Sequence, residues 1–155
     1  MRYLPPLLLL AGISVSAETI HQGKVVKIAD GDTLTQLVDS EQLKIRLSDI
    51  DTPERKQPFG TKAKQALSEA GLWQAGPCSG SDSGPLRTDC GGVYVNGVDM
   101  NRELVAQGFA WVYRKYSNDA ELLRLEAEAK EKGLGLWADP NPIPLWEWRR
   151  GRRRP

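Results

Sequence analysis

The sequence predicts an α+β fold, a small β-barrel or sheet with about three helices interspersed and following. Three observations carry this prediction. Leu43, Ile45 and Leu47 alternate strictly with Lys44, Arg46 and Ser48, the period of a half-buried strand. Turn-forming clusters at Asp30-Gly31-Asp32 and Asp39-Ser40-Glu41 cut the same region into strand-length pieces. Beyond Thr61, apolar residues recur at helical spacing instead.

In chain order, Met1 to Ala17 reads as a secretory signal. Arg2 supplies the early positive charge, Leu4 to Ile13 the apolar run, and Ser14-Val15-Ser16-Ala17 the small residues before cleavage. The run is too short for the ~20 apolar residues of a spanning helix, so export without a membrane anchor is expected. A single domain then covers 18–140. Gly23 to Ala29 and Thr33 to Val38 read as strands, with Asp39-Ser40-Glu41 a hairpin connection into the alternating strand. Pro53 stops that strand's ladder. A helix is expected over Thr61 to Trp73, with Ala63, Leu67 and Ala70 on one stripe. A second follows Asp99, turning Leu104 and Val105 inward and stopping at Gly108. A third runs from near Asn118 to Gly133, with Ala120, Leu123 and Ala127 as its stripe and Glu126→Lys130 and Glu128→Lys132 as i,i+4 pairs. The tail 141–155, rich in Pro, Trp and Arg, reads as mostly irregular.

Composition narrows the chemistry. Among 155 residues, Lys and Arg number 21 against 20 Asp and Glu, which excludes a globally polycationic nucleic-acid coat. His21 alone rules out His-pair metal sites, and Cys78 and Cys90 alone rule out a four-cysteine zinc site. The informative residues are acidic. Asp30-Gly31-Asp32-Thr33 precedes the paired strands and Asp51-Thr52-Pro53-Glu54 follows them. If the strands form a hairpin, Asp32 and Asp51 come together with Arg46 near by. Carboxylates from two loops make an oxygen-rich site for a hard cation. An arginine beside it holds a phosphate bidentately, and Glu54 is left to act on a water as general base. Together they suggest phosphodiester hydrolysis. Each feature has a plainer explanation: a hairpin turn for Asp30-Gly31-Asp32, a helix entry for Asp51-Thr52-Pro53-Glu54, and a solvated surface position for Arg46.

The segments IADGDTL (28–34), KIRLSDIDTPE (44–54), FGTKAKQAL (59–67), VNGVDMNRELVAQGFAWVYRKY (95–116) and LEAEAKEKGLGLW (125–137) together resemble the thermonuclease, or staphylococcal-nuclease-like, family. The likeness spans most of residues 23 to 137. It implies an OB-fold-type five-stranded barrel with three helices and Ca²⁺-dependent cleavage of DNA and RNA by a secreted or periplasmic monomer. By position, the resemblance assigns Asp32 and Asp51 as calcium carboxylates and Thr52 as a main-chain ligand. It assigns Arg46 to phosphate binding and Glu54 as general base. Tyr113 and Tyr116 fall where aromatic residues pack near a bound nucleotide, or where they simply pack the barrel rim.

One segment departs from the pattern. The family's second catalytic arginine falls at Thr88, with Arg87 one place away as the substitute. Around it, Pro77 to Gly92 has a loop-like composition where a strand belongs, and disorder is expected there. Codons for Gly84 to Gly91 can be written so that a one-base shift reads Asp-Arg-Tyr-Gly-Arg, the family's missing stretch. Compensating one-base changes near Pro77 and Gly92 would account for it, making Cys78 and Cys90 accidental rather than a disulfide. The arginines from Arg149 to Arg154 form either an electrostatic foot for a polyanion or a solvated end. Trp146 and Trp148 are expected to pack the Pro-rich segment against the barrel. The expected function is a metal-dependent endonuclease. Its rivals are a non-catalytic OB module binding single-stranded nucleic acid and an inactive product of a frameshifted nuclease gene.

Overall fold

The structure, a computed structural model, describes residues 19–20, 22–69, 77–78, 87–90 and 92–152. The expected signal segment at 1–17 lies outside them. The chain begins with β1 (Thr19–Ile20), β2 (Lys24–Ile28), β3 (Thr33–Val38), β4 (Glu41–Leu47) and β5 (Ile50–Asp51), followed by α1 (Gly60–Glu69). Next come β6 (Pro77–Cys78), β7 (Arg87–Cys90), β8 (Tyr94–Val95) and β9 (Val98–Asp99). The last part holds α2 (Met100–Ala106), β10 (Trp111–Val112), α3 (Ala120–Glu131), a 3₁₀ turn at Gly135–Ala138 and α4 (Leu145–Arg152).

The α+β class is observed. Among the described residues the strands fall into four sheets, of which the largest runs β2-β3-β4-β7, so a closed five-stranded barrel is not seen. The β3–β4 hairpin forms where Asp39-Ser40-Glu41 was expected to connect the strands, but its loop is the two residues Asp39 and Ser40, with Glu41 already in β4. Asp39 and Ser40 both take positive φ (45° and 74°), the twist that suits a tight hairpin, and Val38 pairs with Glu41. Ile45 and Leu47 are fully buried and Leu43 half-buried, as the alternation requires. They join Leu34, Ile50, Leu67, Val93, Val95, Leu104, Val105 and Val112 in one core, each large side chain contributing ~1.5–3 kcal/mol on burial.

Four expectations are corrected. Arg87–Cys90, read as loop-like, is a strand pairing parallel with β4, and Pro77–Cys78 pairs with β1. The edge of β4 supplies main-chain hydrogen-bond partners whatever the side-chain pattern, which is why composition misjudged it. The cysteine side chains lie outside the described residues. The stripe of α3 is Leu122, Glu126 and Ala129, whereas Ala120 and Ala127 are exposed and Leu123 is half-buried. Glu126 does pair with Lys130 at 3.1 Å, but Glu128 takes Arg124 as its partner. Glu126 is buried because its carboxylate accepts the Val112 N–H at 3.0 Å and meets Arg114, tying α3 to β10. The tail, finally, is not mostly irregular: α4 brings the helices among the described residues to four. The described part of α1 is Gly60–Glu69, with Ala63 and Leu67 buried, and the rest of the expected helix, Ala70 to Trp73, lies outside the described residues.

The second helix follows its sequence signals closely. The Asp99 carboxylate caps α2 by accepting the N–H groups of Asn101 and Arg102, and Gly108 follows with φ 74°. A Cβ at Gly108 would lie 2.2 Å from the Leu134 carbonyl oxygen, so glycine lets the end of α2 touch the end of α3.

Candidate active site

Hairpin register builds the site. Thr33 pairs with Arg46, and the ladder extends one step as the Leu47 N–H donates to the Asp32 carbonyl at 2.9 Å. Asp32 therefore sits beside the last residues of β4. The chain then kinks at Asp49, whose φ is 64°, with the Ile50 N–H closing on the Ser48 carbonyl at 2.7 Å. Past the kink it runs against β10, pairing Asp51 with Trp111. Gly31 completes the corner. A Cβ there would lie 2.8 Å from the Ala63 Cβ and from the Thr52 Oγ1, so only glycine lets α1 close over both acidic loops.

The two carboxylates converge on one guanidinium. Arg46 Nη2 lies 3.0 Å from Asp51 Oδ1 and 3.6 Å from Asp32 Oδ2. Asp32 also accepts the Thr33 hydroxyl at 2.9 Å and the Thr52 N–H at 3.3 Å. Both aspartates are only 4% exposed. Burial pushes the Asp32 carboxyl up to about 7, against the opposing pull of Arg46, with Asp30 adding repulsion. Burial likewise raises Asp51, again opposed by Arg46. Two buried carboxyls sharing one arginine leave a negative charge uncompensated. Thr52 adds a buried hydroxyl oxygen with no hydrogen-bond partner. This oxygen-rich, electron-rich corner fits a hard cation. No group of three acidic, His or Cys side chains forms a cage among the described residues, so main-chain oxygen and solvent would complete the coordination.

A cavity of about 440 Å³ opens on this corner, lined by Arg46, Asp49, Asp51, Tyr113, Tyr116 and Arg149. The two tyrosines meet edge-on with ring centres 4.9 Å apart, and Tyr116 is 69% exposed. Tyr113 also stacks against Trp146 of α4. A larger groove of about 910 Å³ shares Tyr113 with this cavity and is walled by Trp111, Trp137 and Trp146.

Part of this corner, from Arg46 through Asp51 and Thr52 to Glu54, falls within a segment shared with known proteins. The family profile described as "Staphylococcal nuclease homologue" matches residues 44–139. The chain belongs to that family. Among its relatives is an "Uncharacterized endonuclease" of Haemophilus influenzae, 39% identical over 145 residues that cover 93% of this chain and 82% of the relative. "Protein ParB" of Escherichia coli is 40% identical over 140 residues, covering 83% and 79%. "Micrococcal nuclease" of Shigella flexneri is 37% identical over 151 residues, covering 89% and 86%.

In this staphylococcal nuclease homologue, Asp32, Asp51, Thr52 and Arg46 come together as one cluster. Glu54 stands at its edge, its N–H donating to Gln57 Oε1 at 3.3 Å and its carboxylate accepting from Arg149 Nε at 2.8 Å. Tyr113 and Tyr116 line the cavity. Arg87 lies opposite Lys44 in the β4–β7 register, with Asp89 opposite Arg46, and its side chain is outside the described residues. Sequence reasoning missed Arg149 and Gln57 as site residues. The arginine run was visible as charge, but nothing local says which arginine returns across 95 residues to Glu54.

Proposed function

We propose that this chain is a Ca²⁺-dependent endonuclease that hydrolyses phosphodiester bonds of DNA and RNA. The observation that carries the reading is the convergence of Asp32 and Asp51 on Arg46 in one buried corner short of positive charge. Relatives named as an endonuclease and a micrococcal nuclease support it. Asp32, Asp51 and the main chain of Thr52 would hold the cation, which when bound neutralises charge on the phosphate. Arg46, 29% exposed at its side chain, offers its remaining N–H donors to the phosphate oxygens. Glu54 takes the proton of the attacking water. Tyr113 and Tyr116 give the neighbouring nucleotide an aromatic wall. The fold reading that goes with this function is an OB-type five-stranded barrel. The chain acts as a monomer, exported to the periplasm or medium after loss of residues 1–17. Among the described residues no helix is long and apolar enough to cross a membrane.

Calorimetric titration with Ca²⁺ tests the site directly. Asp32→Ala and Asp51→Ala should each weaken binding by an order of magnitude or more, because each deletes a ligand and its charge. Undiminished affinity in both variants would place the cation elsewhere and remove the proposal.

A further inference from the structure

The C-terminal helix is docked, not appended. Leu145 is buried at 2% exposure, and Trp146 packs edge-on against Trp111 while stacking on Tyr113. Gln57 ties the approach to that helix back to the active-site loop. Its Nε2 donates to the Ile143 carbonyl, while its Oε1 accepts the Glu54 N–H. One buried side chain thus holds both the Glu54 loop and the entry to α4. One turn into the helix, Arg149 reaches the cavity that Arg46 and Asp51 also line, and its Nε donates to Glu54.

We infer that Arg149 is a substrate-phosphate ligand of this site, a guanidinium delivered by the C-terminal helix to stand opposite Arg46. The inference rests on the proposed nuclease reading. Arg46 divides its donors between two buried aspartates and the phosphate, so a second guanidinium at the same cavity would add to the stabilisation of the charge that develops during cleavage. Among the described residues, Arg149 is the other arginine lining the same cavity. It uses one of five N–H donors on Glu54, and its side chain is 47% exposed, so a fork of donors remains for phosphate oxygens. The Glu54 contact sets where that guanidinium waits before substrate arrives. Arg150, the next residue, lines the other groove instead, so the assignment is specific to one position in an arginine-rich run.

The test uses the full chain and cleavage of a fluorescein-labelled single-stranded DNA oligonucleotide in Ca²⁺. Arg149→Ala should lower kcat/KM by about 100-fold, with an unchanged melting midpoint because the helix is anchored by Leu145 and Trp146. Arg149→Lys should keep part of the activity, added guanidinium ion should partly restore Arg149→Ala, and Arg150→Ala should match the wild type. Activity of Arg149→Ala within threefold of wild type overturns the inference. So does a loss that comes with a lowered melting midpoint, is equal in the Lys variant and is not rescued by guanidinium, since the residue would then only hold the helix. Asp51→Asn, run beside them, separates the two failures. If it too cleaves normally, the nuclease reading of this corner has failed, whereas loss in Asp51→Asn alone confines the failure to Arg149.

Discussion

Replacing Asp32 by Asn should stabilise the metal-free protein while removing its response to Ca²⁺. A carboxyl that titrates near 7 when folded and at 3.8 when unfolded costs roughly 4 kcal/mol of folding free energy above pH 7, because each pH unit of displacement is worth about 1.4 kcal/mol. The sign follows from proton binding. Between about pH 4 and 7 the folded state holds a proton that the unfolded state has released, so wild-type stability falls as pH rises through that window and is flat above it. Asn removes the titration but gives up part of the gain. Its Oδ1 still accepts the Thr33 hydroxyl, and the Arg46 attraction is already contained in the raised carboxyl value, but the Thr52 N–H loses a carboxylate acceptor at 3.3 Å and a buried amide carries its own desolvation cost. These losses take back ~1–3 kcal/mol, leaving a net gain of ~1–3 kcal/mol, or about 3–10 °C in melting midpoint for a domain of this size. The assay is thermal and urea denaturation in EDTA at pH 5 and pH 8, repeated with Ca²⁺. The variant should exceed wild type at pH 8 in EDTA and lose that margin at pH 5, where the folded wild-type carboxyl is protonated, and Ca²⁺ should raise the midpoint of wild type only. A variant less stable than wild type at pH 8, with the same pH dependence, would refute the reasoning about a corner short of positive charge.

The remaining predictions concern α3 and the departing strand. Glu126→Ala should destabilise the fold by ~2–3 kcal/mol, read by urea denaturation, because the buried Val112 N–H loses its acceptor. Arg114 and Lys130 are 59% and 43% exposed at their side chains and rehydrate at little cost, so a loss above ~5 kcal/mol would show that more than this bond is at stake. Rebuilding the stretch around β7 to read Asp-Arg-Tyr-Gly-Arg should raise cleavage of single-stranded DNA by about 100-fold if the segment has lost a catalytic arginine. Equal activity before and after would mean that Arg87 or Arg149 already serves, and Arg87→Ala beside Arg149→Ala separates those two.

The parts of this molecule that depend on nearest neighbours were readable from sequence. Alternation at Leu43, Ile45 and Leu47, a hairpin connection within Asp39-Ser40-Glu41, and a helix starting after Asp99 are local signals, and each appears where expected. The meeting of Asp32 with Asp51 was readable for the same reason, since hairpin register brings the start of one strand beside the end of the next. Where partners are distant in sequence, the pattern misled. Glu126 looks like a surface residue until β10 and Arg114 arrive to satisfy it, so α3 was rotated onto the wrong stripe. Arg149 and Gln57 carry no local mark of their role, because their partners Glu54 and Ile143 are 95 and 86 residues away. The β7 strand exists through main-chain bonds to β4 that no side-chain periodicity records.

The most direct test of the central claim is digestion of denatured DNA by the purified chain, in Ca²⁺ and in EDTA, beside Arg46→Ala with circular dichroism as the check on folding. The two-aspartate, one-arginine corner predicts cleavage that requires Ca²⁺ and falls by about 100-fold or more in the folded variant. Cleavage that persists in EDTA, or an Arg46→Ala chain as active as wild type, would contradict the claim; a folded chain that binds DNA without cutting it would make the domain a nucleic-acid-binding module instead.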